Sequence, residues 1–213
     1  MTRALGTAGI AVAISPMLAS WTRTVPDPAR SGAQWWRPRR VALSRWLIVA
    51  SSASVLAAVA ALRSPWPAWW LYAVAGAGLA VIDVEHHQLP RRLLYPLAVT
   101  ELVILAATAL PAHDSRRLLD ALIIAAVIGG GWLTWALLTP AAVGLGDVRL
   151  AAVSGLLLGW HGWQRALDAQ LVTFLLALLT AAVLAIAAPR RRGRRMAIPM
   201  GPALVAATIL LGH

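Results

Sequence analysis

Eight apolar stretches, separated by short polar segments rich in arginine, run through almost the whole chain. They lie at residues 5–21, 46–62, 67–82, 93–110, 118–138, 150–160, 169–188 and 197–211. Since about 20 apolar residues cross a ~30 Å hydrocarbon core, 213 residues hold roughly eight such segments and no sizeable soluble domain. The 60% hydrophobic content exceeds what a soluble core needs. The sequence therefore predicts an all-α fold: a polytopic transmembrane helix bundle of about eight spans, forming one integral-membrane domain over 1–213.

The first apolar stretch resembles a signal peptide and is interrupted by Pro16. Only Arg3 precedes it and no small-residue cleavage site follows, so we expect a membrane span.

Several tryptophans near span ends predict an interfacial aromatic belt. They are Trp21, Trp46, Trp66, Trp69, Trp70, Trp160 and Trp163.

The arginines predict the topology. All 19 basic residues are Arg; alternate loops hold 14 of them on one side, and the other side, with the N-terminus, holds 5. The positive-inside bias therefore places both termini outside and makes 22–45 a short basic cytoplasmic loop of a multi-pass protein in the cell (plasma or inner) membrane. Because the arginines lie between apolar runs, we expect them to contact membrane lipid headgroups and not nucleic acid. The oligomeric state stays open.

Two aspartates stand out among only eight acidic residues. Asp83 ends the third stretch and Asp147 precedes the sixth, with two crossings between them, so both are expected at the cytoplasmic side. Ionisable groups at such depths are costly and are functional candidates by default. If the third helix packs beside the sixth, the two carboxyl groups come within reach of each other.

Two carboxyl groups a few ångströms apart share one proton, which suits peptide hydrolysis: one activates water and the other polarises the scissile carbonyl. Asp147 is expected at a helix N-terminus, where the dipole favours charge, and Asp83 at a C-terminus. We therefore expect Asp147 to be the ionised base and Asp83 the protonated acid.

Small residues and prolines around the pair have a physical purpose. Gly144 and Gly146 permit unusual backbone angles and a close approach of a neighbouring helix or substrate. Pro90 should break the chain before the next span. The run Gly129-Gly130-Gly131 inside the fifth stretch predicts tight helix packing.

The remaining candidates have alternative interpretations. Glu85, with His86 and His87, either tunes Asp83 and touches substrate or belongs to a hydrated loop. Glu101 falls in the middle of the fourth stretch, as a neutral hydrogen-bonded packing group or an accessory site residue. Arg149 either lowers the pKa of Asp147 or anchors its helix to headgroups.

Three ordered elements carry a resemblance to a known family. They are Ile82-Asp83 with Leu89-Pro90, then Gly144-Leu145-Gly146-Asp147-Val148-Arg149-Leu150, and finally Ile198-Pro199-Met200-Gly201-Pro202-Ala203-Leu204. Together these resemble the type IV prepilin peptidases, intramembrane aspartic proteases with a Gly-x-Gly-Asp element.

The resemblance implies that Asp83 and Asp147 are the catalytic pair. It implies a prepilin-like substrate of type IV pilus or secretion systems, cut on the cytoplasmic side ahead of its hydrophobic stem helix. It implies no metal and no organic cofactor. Longer members carry Cys-x-x-Cys motifs between the first two spans; this chain has no Cys, which excludes zinc there and puts methylation of the new N-terminus in doubt.

Two other classes of function compete with a peptidase. A small multi-pass transporter or proton-relay protein would place Asp83, Glu101 and Asp147 along one pathway through the membrane. It would also show an internal repeat, which the sequence lacks. A noncatalytic membrane scaffold would have no need of both aspartates.

Overall fold

The computed structural model describes residues 2–24, 43–63, 67–86, 89–139, 143–187 and 200–212. Within these ranges the chain forms eight α-helices and no strand. They are α1 (Thr2–Thr24), α2 (Leu43–Arg63), α3 (Pro67–His86), α4 (Arg91–Ala109), α5 (Ser115–Leu138), α6 (Leu145–Gly159), α7 (Trp163–Ala187) and α8 (Gly201–Leu211). Each of the eight predicted apolar stretches coincides with one helix, so the all-helical bundle is confirmed.

Four helices of the described part are long and apolar enough to cross a membrane alone, namely α3 (to Glu85), α4, α5 and α7 (to Ile186). The apolar parts of α1, α2 and α8 are shorter. The 11 residues of α8 extend only ~16 Å, about half of the hydrocarbon core. The full count of eight crossings, the orientation and the single domain over 1–213 stay predictions.

The interior of the bundle is built by close contacts of small residues. A Cβ added to Gly129 on α5 would stand 2.9 Å from the Cβ of Ala152 on α6, and one added to Gly159 would stand 2.9 Å from the Cα of Ala121. Gly130 and Gly131 have nothing within 4 Å of such an atom. The predicted tight packing is therefore confirmed for the first glycine of the triplet and not for the other two.

The C-terminal helix α8 packs against α3, α6 and α7, inside the bundle. The glycine at position 76 of α3 allows this approach, because a Cβ there would stand 2.7 Å from a methyl group of Val205. Arg165 donates a hydrogen bond to the carbonyl of Leu211, which satisfies one orphan carbonyl at the end of α8. This packing brings the start of α8 to the end of α3.

Three details of the sequence interpretation need correction. Pro16 lies inside a continuous α1 and does not interrupt it. Trp69 is 1% exposed and packs against the ring of His161, so it is a core residue and not part of an interfacial belt. Residues at both ends of the predicted 22–45 loop are helical, because α1 runs to Thr24 and α2 begins at Leu43.

Several predictions fall outside the described part of the chain. They concern residues 25–42, His87, the 189–195 run, Ile198 and Pro199, and the side chains of Trp21, Trp46, Trp66 and His86.

Candidate active site

Asp83 lies in the last turn of α3 and is almost fully buried, with 4% of its surface exposed. Its Oδ2 accepts a hydrogen bond of 2.8 Å from the backbone N–H of Gly201. Gly201 is the first residue of α8, and the first N–H groups of a helix have no acceptor within the helix. The start of α8 therefore supplies a donor and the positive end of a helix dipole to this carboxylate, which favours its charged form.

A glycine is required at position 201 by the closeness of Asp83. A Cβ there would stand 2.8 Å from the Oδ2 of Asp83 and 3.1 Å from its Cβ and Cγ. Gly201 lies in the C-terminal segment quoted for the resemblance, but the sequence analysis did not single it out as a site residue. The Gly201-Pro202 pair, with proline in the first helical turn, was the available signal for a helix start.

Asp147 lies in the first turn of α6, ahead of the apolar stretch that begins at residue 150, as predicted. Gly144 is the N-cap residue, and its backbone N–H donates a hydrogen bond of 3.1 Å to the Oδ2 of Asp147. The other oxygen, Oδ1, is buried and has no hydrogen-bond partner among the described residues. The carboxyl group thus keeps one oxygen available inside the site.

The electrostatics of Asp147 connect it with Asp83. Burial, together with the negative charge of Asp83, raises the pKa of Asp147 from 3.8 to about 6, against a smaller lowering by the Gly144 N–H. With Asp83 charged, the raised pKa favours the protonated form of Asp147, although each carboxyl group accepts a hydrogen bond from a backbone N–H at a helix start. In this state the proton order is the reverse of the one expected from the two helix ends.

The turn before α6 packs against the connection between α3 and α4. A Cβ added to Gly146 would stand 2.7 Å from the Cβ of Leu89 and 3.2 Å from its backbone nitrogen. Leu89 is buried three residues after the end of α3, and Pro90 forms the N-cap of α4 as predicted, its carbonyl accepting from Leu93 and Leu94. The contact between Gly146 and Leu89 holds the turn of Asp147 beside the end of α3.

The other residues predicted for the site differ in how far their side chains are buried. Glu85 is exposed near the end of α3, and Arg149 is half-buried on α6. The pKa of Asp147 is raised, so any lowering by Arg149 does not outweigh burial. Glu101 is fully buried on α4, but neither carboxyl oxygen has a hydrogen-bond partner among the described residues, which corrects the expectation that it is hydrogen-bonded.

A polar cluster that the sequence analysis missed joins three helices in the interior. The hydroxyl groups of Tyr72 on α3 and Ser154 on α6 share a hydrogen bond of 2.5 Å, and the Tyr72 hydroxyl donates to Thr208 on α8 at 3.4 Å. All three side chains are buried. Ser154 lies seven residues after Asp147, and Thr208 seven after Gly201, so the cluster links the helices about two turns from the candidate site.

The donor set of the site consists of two carboxyl groups and backbone N–H groups. Within the described ranges, His, Asp and Glu side chains form no group of three that could hold a metal ion.

The fold and site define a helical membrane protein in which two aspartates from different helices influence each other's charge. The chain belongs to the type IV leader peptidase family, whose model matches residues 70–186, and is thus a membrane peptidase. The match includes Asp83, Gly144, Gly146 and Asp147, and it ends before α8. No curated protein and no solved structure shows significant similarity to the chain.

Proposed function

We propose that this peptidase is an intramembrane aspartic endopeptidase that uses Asp83 and Asp147 to cleave the leader peptide of type IV prepilin-like proteins. The observation that carries the proposal is the electrostatic coupling of the two carboxyl groups, since the charge of Asp83 raises the pKa of Asp147. Two carboxyl groups in one site do not both ionise, because two negative charges repel each other at short distance. One group stays protonated and can act as an acid, while the other is ionised and can act as a base.

The hydrogen bonds of the pair support a division of roles. Asp83, with its Oδ2 bound to the N–H of Gly201, is the carboxylate that takes a proton from the attacking water. Asp147 gives its proton to the scissile carbonyl oxygen as the water oxygen bonds to the carbonyl carbon, which leaves a tetrahedral diol, a protonated Asp83 and an ionised Asp147. The C–N bond then breaks as Asp83 passes its proton to the leaving nitrogen and a diol hydroxyl returns a proton to Asp147. This restores the singly protonated pair for the next turnover.

The topology supports a cytoplasmic site in the cell membrane. Asp83 is near the end of α3 and Asp147 at the start of α6, and two helices, α4 and α5, separate them along the chain. With 14 arginines against 5 on the opposite loops, the side that carries both aspartates is the cytoplasmic one. A substrate with a cytoplasmic leader and an apolar stem helix would present its junction at that depth.

The test is co-expression with a prepilin-like substrate carrying a leader and its stem helix. Asp83→Asn and Asp147→Asn, each alone, should leave the leader uncut while the protein still inserts in the membrane. Asp168→Asn, a half-buried aspartate on α7, is the matched control and should cut like the parent. Cleavage by either active-site variant at the parental rate would disprove the assignment of the pair.

A further inference from the structure

An apolar groove of about 480 Å³ opens beside the candidate site, between α2, α3 and α8. Its walls include Ser51, Ser52 and Val55 from α2, Ala80 from α3, and Pro202 and Ala206 from α8. We call it the α2/α8 groove.

The α2/α8 groove leads to Asp83 from two sides. Ala80 precedes Asp83 by three residues on α3, which is less than one helical turn. Pro202 follows Gly201, whose N–H is bound to the carboxylate of Asp83. The groove therefore ends within about one helical turn of the candidate active site on both α3 and α8.

The surface of the α2/α8 groove is suited to another apolar helix. The hydroxyl groups of Ser51 and Ser52 donate hydrogen bonds of 3.1 Å to the backbone carbonyl groups of Ile48 and Val49 in their own helix. An apolar neighbour would therefore leave neither hydroxyl donor without a partner. Small side chains let helix backbones approach closely in a membrane.

The accessible side of α8 between residues 201 and 209 lies in this groove. In that range Pro202 and Ala206 are half-buried, and every other residue is buried. These two residues are four apart and share one side of the helix. Ahead of the exposed Leu210, the bundle thus covers α8 except where the α2/α8 groove leaves it accessible.

The direction and length of the groove match a substrate that starts at Asp83 and runs into the membrane. α8 begins at the site, and by the predicted topology α2 also begins on that side, so both lead away from Asp83. The part of α2 that lines the groove, from Ile48 to Leu56, spans about 12 Å, or about two helical turns.

We propose that the α2/α8 groove seats the first two turns of the substrate's apolar stem helix, so that the leader junction reaches Asp83 and Asp147. This proposal rests on the proposed function, because it assumes a substrate with a stem helix. The closeness of the groove to Asp83 and its direction away from the site select the substrate over a lipid chain or a second copy of the protein, which are outcomes that the test separates.

The chain contains no Cys, so single cysteines can report the contact without background. Ser52→Cys and Ala206→Cys are placed in the Asp147→Asn protein and oxidised with a substrate carrying one cysteine within the first eight stem residues. Both should form a disulfide with the substrate. Ala126→Cys, at an exposed alanine on α5, is the matched control and should form none.

Three results would overturn the groove proposal: equal crosslinking at Ala126, no crosslinking at either groove position, or crosslinks only between two copies of the peptidase. Cleavage by the Cys-free parent is measured on the same substrate. If the parent cuts and the groove cysteines stay uncrosslinked, the docking site is wrong and the peptidase function stands. If the parent cuts no leader at all, the proposed function itself fails.

A filled groove gives a second, kinetic test. Ala206→Leu should raise KM for the membrane-embedded substrate about tenfold, with a smaller change in kcat, since the larger side chain fills the space that the stem helix needs. Ala126→Leu should leave both parameters near the parent values. An Ala206→Leu protein with unchanged KM, or with kcat lowered at unchanged KM, would contradict docking in the groove.

Discussion

The backbone N–H of Gly201 and the Oδ2 of Asp83, 118 residues apart in the chain, are joined by a hydrogen bond of 2.8 Å. The family match covers residues 70–186, so this bond attaches an element beyond the match to one of the two candidate catalytic groups. The consequence is that the start of α8 forms part of the candidate site. Its start orients Asp83 and favours the carboxylate that the proposed mechanism requires.

Substitution of Gly201 by alanine tests this attachment. The added Cβ would stand 2.8 Å from the Oδ2 and 3.1 Å from the Cγ of Asp83, so either the carboxyl group or α8 has to move. A shift of ~1 Å in a catalytic group can cost about a hundredfold in rate. We expect leader cleavage by Gly201→Ala to fall by about that factor at unchanged membrane insertion, measured as initial rates on purified protein.

The control for this variant is Gly130→Ala on α5. Nothing lies within 4 Å of the Cβ added there, so the substitution should leave cleavage unchanged and the helix no less stable. Parental activity in the Gly201→Ala protein would mean that α8 does not orient Asp83.

The two glycines of the Gly-x-Gly-Asp element should respond unequally to the same substitution. At Gly146 an added Cβ meets the Cβ of Leu89 at 2.7 Å and its backbone nitrogen at 3.2 Å, and a backbone atom cannot yield as a side chain does. At Gly144 the nearest atom is a carboxyl oxygen of Asp147 at 3.3 Å, and the dihedral angles of φ −83° and ψ 150° suit any residue.

We therefore expect Gly146→Ala to lower the cleavage rate at least ten times more than Gly144→Ala, since misplacement of a catalytic group is costly. Initial rates on one membrane substrate measure the ratio. Because the clash includes the Leu89 backbone, Leu89→Ala should not restore the Gly146→Ala protein. Equal losses in the two glycine variants would show that the Leu89 contact does not position Asp147.

The helices and the placement of each aspartate at a helix end could be predicted because both depend on local sequence. Apolar length and arginine placement predict the spans, and Gly144 with Asp147 predicts a helix start through the dihedral angles and capping of a few neighbouring residues. No contact across the bundle had to be known for these predictions.

The proton order and the role of Gly201 depend on contacts that the local pattern does not contain. The dipole of its own helix disfavours charge on Asp83, but the start of α8 reverses this effect at 2.8 Å. Trp69 was misassigned for the same reason: its position near a span end predicts an interface, while packing against His161 buries it. In all three examples, residues distant in the sequence but close in the fold determine the environment of the side chain.

The pH dependence of cleavage tests whether the pair works with one shared proton. In either proton order the active pair is singly protonated, and burial with the charge of Asp83 raises the pKa of Asp147 to about 6. The rate should then fall about tenfold per pH unit above that value. A rate that stays constant or rises from pH 6 to pH 8, measured in vesicles with a fixed substrate, would show that cleavage needs no proton held by the pair.

The stability of Asp147→Asn should depend on pH in a defined direction. A carboxyl group whose pKa rises from 3.8 unfolded to about 6 folded stabilises the protein fully below 3.8, and this stability is lost as pH rises through 6. Above pH 6 the parent therefore carries a penalty of up to about 3 kcal/mol that the asparagine variant lacks. The variant, though inactive, should melt at a higher temperature than the parent at pH 7.5 and lose this advantage at pH 4.

Two substitutions of Glu101 test whether this residue is a packing group or an accessory residue of the site. It is fully buried on α4, and neither carboxyl oxygen has a hydrogen-bond partner among the described residues. A buried polar group without partners costs ~1–3 kcal/mol, so replacing it with an apolar side chain of similar size should stabilise the protein. We expect Glu101→Leu to melt at a higher temperature in detergent, and both Glu101→Leu and Glu101→Gln to cleave leader within about twofold of the parent.

Tyr72→Phe is the contrasting variant, because it removes a hydroxyl group that is hydrogen-bonded to Ser154 and leaves that partner buried. It should melt lower, by an amount corresponding to about 1 kcal/mol. Loss of cleavage in Glu101→Gln, with folding retained, would make Glu101 an accessory residue of the site. In that case the acid on α4 would act together with Asp83 and Asp147, and the interpretation of Glu101 as a packing group would be wrong.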